Sequence, residues 1–171
     1  MATDVDEAGN EILDKIFYYA DWQDDDEDPP ESIVIAQKLE GHPRAFVDEL
    51  GDDDYPALFV QLLGWPANER IAKQDRHTFS WRLYLMIAAT AGTNPYREAR
   101  EQVMQVKRNI IAARPVTGHL LGLDYLAEMR WTGTMPENEV AAWLRDAQMA
   151  YACCAVGFNV VTYSGAEDYG A

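Results

Sequence analysis

Apolar and polar side chains alternate strictly through residues 78–87: Phe79, Trp81, Leu83, Leu85 and Ile87 share one parity, and Thr78, Ser80, Arg82 and Tyr84 share the other. Period two over that length predicts a long strand with one buried face and one more polar face. Asn94-Pro95 then suits a helix start. Asparagine caps well, and proline in the first helical position gives up only an N–H that has no intrahelical partner there. Beyond it Ala99, Val103, Val106 and Ile110 recur at helical spacing, with Arg97, Glu101 and Arg108 off that stripe. Strand, break and helix, residues 75–113, form a packing unit against which the other elements can be placed.

Residues 8–20 predict a helix, with Ala8, Ile12, Ile16 and Tyr19 on one stripe that Leu13 and Phe17 widen. A weaker helical pattern follows at 31–50, where Ile33, Ala36 and Leu39 share a face until Gly41-His42-Pro43 interrupts it, and 44–54 reads as an acidic connector. The apolar run 57–63, bounded by Tyr55-Pro56 and Gly64-Trp65-Pro66, predicts a strand. A polar loop, 67–74, then joins it to the long strand as an antiparallel neighbour. Arg114-Pro115-Val116-Thr117-Gly118 marks the end of the main helix. Residues 121–131 alternate again, with Leu121, Leu123, Tyr125, Ala127, Met129 and Trp131 opposed to Asp124, Glu128 and Arg130, which predicts a third strand.

Residues 139–158 carry two conflicting patterns. Val140, Trp143, Leu144, Ala147 and Tyr151 fit a helical stripe, while Met149, Tyr151 and Cys153 alternate with Gln148, Ala150 and Ala152, and 151–158 is small and apolar. The expected fold class is α+β: an antiparallel β-sheet of about four strands packed against one main helix and an N-terminal helix. A single domain spans 1–163, with an acidic loop at 21–30 and a mobile tail at 164–171.

Charge narrows the function classes. Fourteen Lys and Arg face 29 Asp and Glu among 171 residues, a formal net charge of -15 and a pI near 4.4. Such a surface repels phosphate backbones and anionic lipid. Asp21 and the five acids at 24–28 precede Pro29-Pro30 and read as a solvated loop, since the ligand frame and glycine turn of a calcium site are missing. The N-terminus lacks the basic and apolar regions of a signal peptide, and no apolar run is long enough to span a membrane. Cys153 and Cys154 are adjacent, which disfavours a bridge between them and suggests free thiols in a cytosolic product.

No catalytic signature appears. His42, His77 and His119 are far apart, the cysteines are vicinal, and the phosphate-loop, nucleophile-elbow and dinucleotide fingerprints are missing. No metal, cofactor or catalytic residue is assigned. Trp81, Tyr125 and Trp131 hold core-facing positions, whereas Trp22 and Trp65 sit in or beside loops, where an indole marks a partner contact. Arg82 and Tyr84, on the second face of the long strand, are the other interface candidates, together with Asp24, Asp25 and Asp26.

The order of elements, with Tyr55-Pro56-Ala57-Leu58-Phe59-Val60 leading through a loop to His77-Thr78-Phe79-Ser80-Trp81-Arg82-Leu83-Tyr84-Leu85, resembles the tail terminator family of tailed bacteriophages and its Mu-like tail and neck relatives. Asn94-Pro95-Tyr96-Arg97-Glu98-Ala99-Arg100, Gly122-Leu123-Asp124 and Ala147-Gln148-Met149-Ala150-Tyr151 continue the same pattern, so that the resemblance covers 8–160. It implies a structural virion protein, no enzyme, that forms a homo-oligomeric ring, typically a hexamer, capping the tail tube. Its implied partners are further copies of itself, the tail tube protein, the head-tail connector or stopper, and in some tails the sheath. It further implies that DNA passes through the lumen without specific binding, that no membrane is involved, and that the protein is assembled in the host cytoplasm and resides in the virion tail or neck. The resemblance also implies that the last segment, 146–158, is a strand. The acidic loop at 21–30 departs from the family pattern. Two other classes fit parts of the sequence: an acidic DNA mimic that inhibits a DNA-binding enzyme, and a Mg²⁺ enzyme using Asp52, Asp53 and Asp54.

Overall fold

The computed structural model describes residues 5–22, 33–64, 67–71, 74–88, 95–136 and 151–165. Two helices, α1 (Val5–Ala20) and α2 (Pro95–Thr117), lie on one face of a sheet built from β1 (Gln37–Glu40), β2 (Ala57–Leu62), β3 (Ala67–Ile71), β4 (Gln74–Ala88), β5 (Leu126–Pro136) and β6 (Tyr151–Gly165). The sheet order is β1-β2-β4-β6-β5, with β3 also paired to β4. Every pairing is antiparallel except that of β1 with β2. The α+β class and the mainly antiparallel sheet are as expected from the sequence.

β4 and β6 form the spine, in register from Gln74 opposite Gly165 to Ala88 opposite Tyr151. The alternation in β4 sorts as anticipated: Phe79, Trp81, Leu83, Leu85 and Ile87 are all buried beneath the helices. α1 contributes Ala8, Ile12, Leu13, Ile16 and Tyr19 to that core, and α2 contributes Ala99, Val103, Val106 and Ile110. The conflict at 139–158 falls in favour of a strand from Tyr151 onward, while 139–150 lies outside the described residues. β6 continues through Ser164 and Gly165, where the tail was expected to begin.

Four expectations need correction. The weak helical pattern near Leu39 is an edge strand, β1, whose backbone pairs in parallel with β2. The polar loop expected at 67–74 contains β3, which pairs back on β4 with Glu69 opposite Arg76 and Arg70 opposite Asp75. Its residues show no apolar alternation, so pairing with a committed partner strand overrides local pattern. The third strand starts later than read, at Leu126. Leu121 (φ 50) and Gly122 (φ 68) both adopt left-handed backbone in a 3-10 turn, and a left-handed pair cannot continue a strand. Leu121 is fully buried, so core packing offsets the cost of its φ, and a Cβ on Gly122 would lie 2.9 Å from the Tyr19 hydroxyl. Finally, Pro115 does not stop α2, which runs to Thr117 and ends at Gly118 (φ 79), whose N–H donates to the Arg114 carbonyl at 2.8 Å.

Candidate interaction surface

The second face of the sheet has a different cover. Ala57 and Phe59 from β2, Tyr84 and Met86 from β4, and Cys153 and Ala155 from β6 form a smaller apolar cluster with Val47, against which Phe46, Leu50 and Tyr55 pack. The cover is the irregular segment 42–55, which contains two 3-10 turns, Pro43–Ala45 and Asp52–Asp54. Its backbone cannot satisfy itself as a helix does, so side chains complete it. His42 Nδ1 accepts from the Arg44 N–H at 3.1 Å, and Asp54 Oδ2 accepts from the Gly51 N–H at 2.8 Å. The segment is tied to the sheet where Gln37 donates to Asp54 (3.2 Å) and the Tyr151 hydroxyl donates to Asp52 (3.0 Å).

These bonds give Asp52 and Asp54 structural partners. The tyrosines beside them are held neutral. Burial, with the Tyr151 ring 4.9 Å away and Asp54 and Asp52 nearby, pushes the Tyr55 phenol up to about 12. Burial and the bond to Asp52 also raise Tyr151. Among the described residues, no group of three or more His, Cys, Asp or Glu is placed to hold a metal ion. His42 lies against the Tyr84 ring at 5.0 Å, His77 is buried in β4 and His119 is exposed after α2, so the three do not converge. Cys153 and Cys154 are free thiols on opposite faces of β6, and burial raises the Cys154 thiol against the opposing pull of Arg100.

Past Tyr84 the second face becomes polar, with Ser80, Arg82 and Asn159 half-buried. Gln61 stands opposite Arg82, Arg82 opposite Gly157, and Asn159 opposite both Ser80 and Arg130. Arg130 pairs with Glu128. At the bulge after Trp131, Thr132 takes the space a side chain at 157 would need: its hydroxyl donates to the Gly157 carbonyl at 2.9 Å and accepts from the Gly157 N–H at 3.1 Å. An open groove of about 730 Å³ lies on the helix side, between Ile33, Val34 and Pro56 on one wall and Gln102, Gln105 and Arg108 on the other.

The interface candidates separate. Arg82 is half-buried on the open part of the second face and makes no ion pair or side-chain hydrogen bond among the described residues. Tyr84 is only 1% exposed, with its hydroxyl donating to Gln61 at 3.2 Å, so it is a core residue and not a docking contact. The loop indole of Trp22 is half-buried and packs edge-on against Tyr19, with ring centroids 5.7 Å apart. Trp65, Asp24, Asp25 and Asp26 lie outside the described residues. The core expectation for Trp81 is met at 2% exposure. Trp131 stacks on Phe158 at 4.6 Å, and the Tyr125 hydroxyl donates to Glu11 at 2.7 Å. Pattern reading missed the covering segment 42–55. Its signal was the set of capping types, His42-Pro43 and Gly51 followed by Asp54, inside a stretch otherwise read only for charge.

No protein-family model matches the sequence, and no curated protein matches it. No described helix is long and apolar enough to cross a membrane.

Proposed function

We propose that this chain is a structural subunit of a phage tail, a terminator that assembles as a ring on the end of the tail tube and joins it to the head-side connector. The observation that carries the reading is the last strand. The resemblance requires a strand where helix propensity competes, and β6 is a 15-residue interior strand between β4 and β5, buried on both faces from Ala152 to Val156. Support also comes from the open polar end of the second face around Arg82, a surface that a neighbouring subunit, the tube or the connector can cover.

The test is negative-stain microscopy of the purified chain mixed with tail tubes of the same virion. Rings seated at one end of the tubes are the expected result. A chain that stays off the tubes and instead displaces DNA from a DNA-binding enzyme overturns the reading in favour of the acidic mimic. Within the complex, Arg82→Ala probes the open face and Tyr84→Phe serves as the control. Truncating Tyr84 to alanine would damage the core and confuse the two effects.

A further inference from the structure

Charge is segregated along this chain. Residues 1–31 hold twelve Asp and Glu against one Lys, whereas α2 holds five Lys and Arg against two Glu. In a chain of net charge -15, α2 is therefore a basic element on an acidic molecule.

The geometry gives each charge set a face. Arg100, Lys107 and Arg114 are seven residues apart, two turns of helix, and so line one side of α2, flanking the buried stripe. Tyr96 (46% exposed) and Ile111 (43% exposed) lie on the same side, so the stripe offers apolar area among its cations. Arg97 is engaged with Glu101 at 3.0 Å, and the Lys107 ammonium sits 5.4 Å over the Trp131 ring. Arg100 and Arg114 are exposed and make no ion pair or side-chain hydrogen bond among the described residues. On α1, Glu7 and Asp14 have the same seven-residue spacing and are exposed, with Tyr18 (60% exposed) beside Asp14 one turn on. The two helices pack together within one copy, where Asn109 donates to the Ala20 carbonyl at 2.9 Å.

We propose that these faces meet between copies: the cationic side of α2 in one subunit docks the acidic side of α1 in the next. A contact between two different patches is head-to-tail, and repetition of it closes a ring or runs on as a filament. Charge complementarity sets the register and speeds encounter, and the tyrosines and Ile111 supply the apolar area. The proposal deepens the terminator reading and rests on its claim of a ring, but it does not require a tube.

The experiment is sedimentation velocity of the full chain without tubes, at low and high ionic strength. The wild type is expected to self-associate at low salt and to dissociate as salt screens the contact. The double variants Arg100→Glu/Arg114→Glu and Glu7→Arg/Asp14→Arg are each expected to weaken self-association about tenfold or more, since each replaces attraction by repulsion. Mixing the two variants restores it, because in alternating order every junction again joins opposite charges. A wild type that stays monomeric, a variant that associates as before, or a mixture that fails to recover overturns the proposal. Tube capping is read separately by microscopy. Self-association with charge-swap rescue but no capping sinks the tail reading and leaves this contact standing, whereas capping with no charge effect does the reverse.

Discussion

The two faces of the sheet are covered by different means. On one face α1 and α2 satisfy their own backbones internally, and all they need to offer the sheet is an apolar stripe, so the cover there is mainly Ala, Val, Ile and Leu, with Tyr19 among them. On the other, 42–55 has no such internal ladder. It brings His42, Asp52, Asp54 and Tyr55 to the sheet and fixes each with a specific bond or ring contact. The first cover depends on buried area and the second on local polar geometry, so the two faces should respond differently to the same truncation.

The largest effect is expected beneath the helices. Phe158 is 1% exposed, lies between Trp81 and Trp131 in the sheet and stacks on Trp131. Phe158→Ala should cost about 3–5 kcal/mol in urea unfolding. Phe59→Ala, at a site equally buried but under 42–55, should cost less, because an irregular segment can settle into the space more readily than a helix can. Equal costs for the two would break the comparison.

A second effect comes from the bulge where Thr132 of β5 bonds the Gly157 backbone. A Cβ added at Gly157 would lie 2.7 Å from the Thr132 hydroxyl oxygen, closer than real contacts allow. Gly157→Ala is expected to destabilise by about 1–3 kcal/mol. Adding Thr132→Ala should recover part of the loss by clearing the space. If the pair of substitutions is no better than the single one, the bulge is not what requires glycine there.

How much of this was legible follows the same division. α1, α2 and the buried parity of β4 could be read directly, because long amphipathic elements write their period into the sequence. β3 and β1 could not. Neither has an apolar alternation of its own, and each is a strand because β4 or β2 presents a ready edge to it. The burial of Tyr84 was missed for the opposite reason. Its parity with Thr78, Ser80 and Arg82 correctly gave the face, but whether that face is wet depends on a segment some 40 residues earlier whose turn chemistry fixes it over the sheet. The same limit applies to the interface candidates, since parity assigns a residue to a face and only the tertiary cover decides whether it is exposed.

Tyr84→Phe sharpens the comparison on a smaller scale. It removes one donor to Gln61 while keeping the ring against His42, and should cost about 1 kcal/mol. A loss several times larger would mean that the hydroxyl organises more of the second face than that bond.

The last effect, nearly absent at neutral pH, is an alkaline pH dependence to which the polar cover contributes. A phenol whose folded pKa lies above the unfolded value of about 10 is held neutral by the fold. Its contribution is fully present below pH 10 and is lost as pH rises through the folded value, because the unfolded chain releases that proton first. Tyr55, pushed up to about 12, and Tyr151, raised by burial and by its bond to Asp52, therefore predict stability that falls between about pH 10 and 12. Tyr125, raised by burial and by its bond to Glu11, adds a like dependence on the helix side, so the wild-type slope alone does not separate the faces. The variants do. Tyr55→Phe should flatten the slope of urea-unfolding stability against pH over this interval and leave stability at pH 7 nearly unchanged, whereas Tyr125→Phe should also lower stability at pH 7 by removing the bond to Glu11. If Tyr55→Phe leaves the alkaline slope as steep as in the wild type, the segment 42–55 does not hold that phenol away from water, and the cover on the second face is looser than its hydrogen bonds imply.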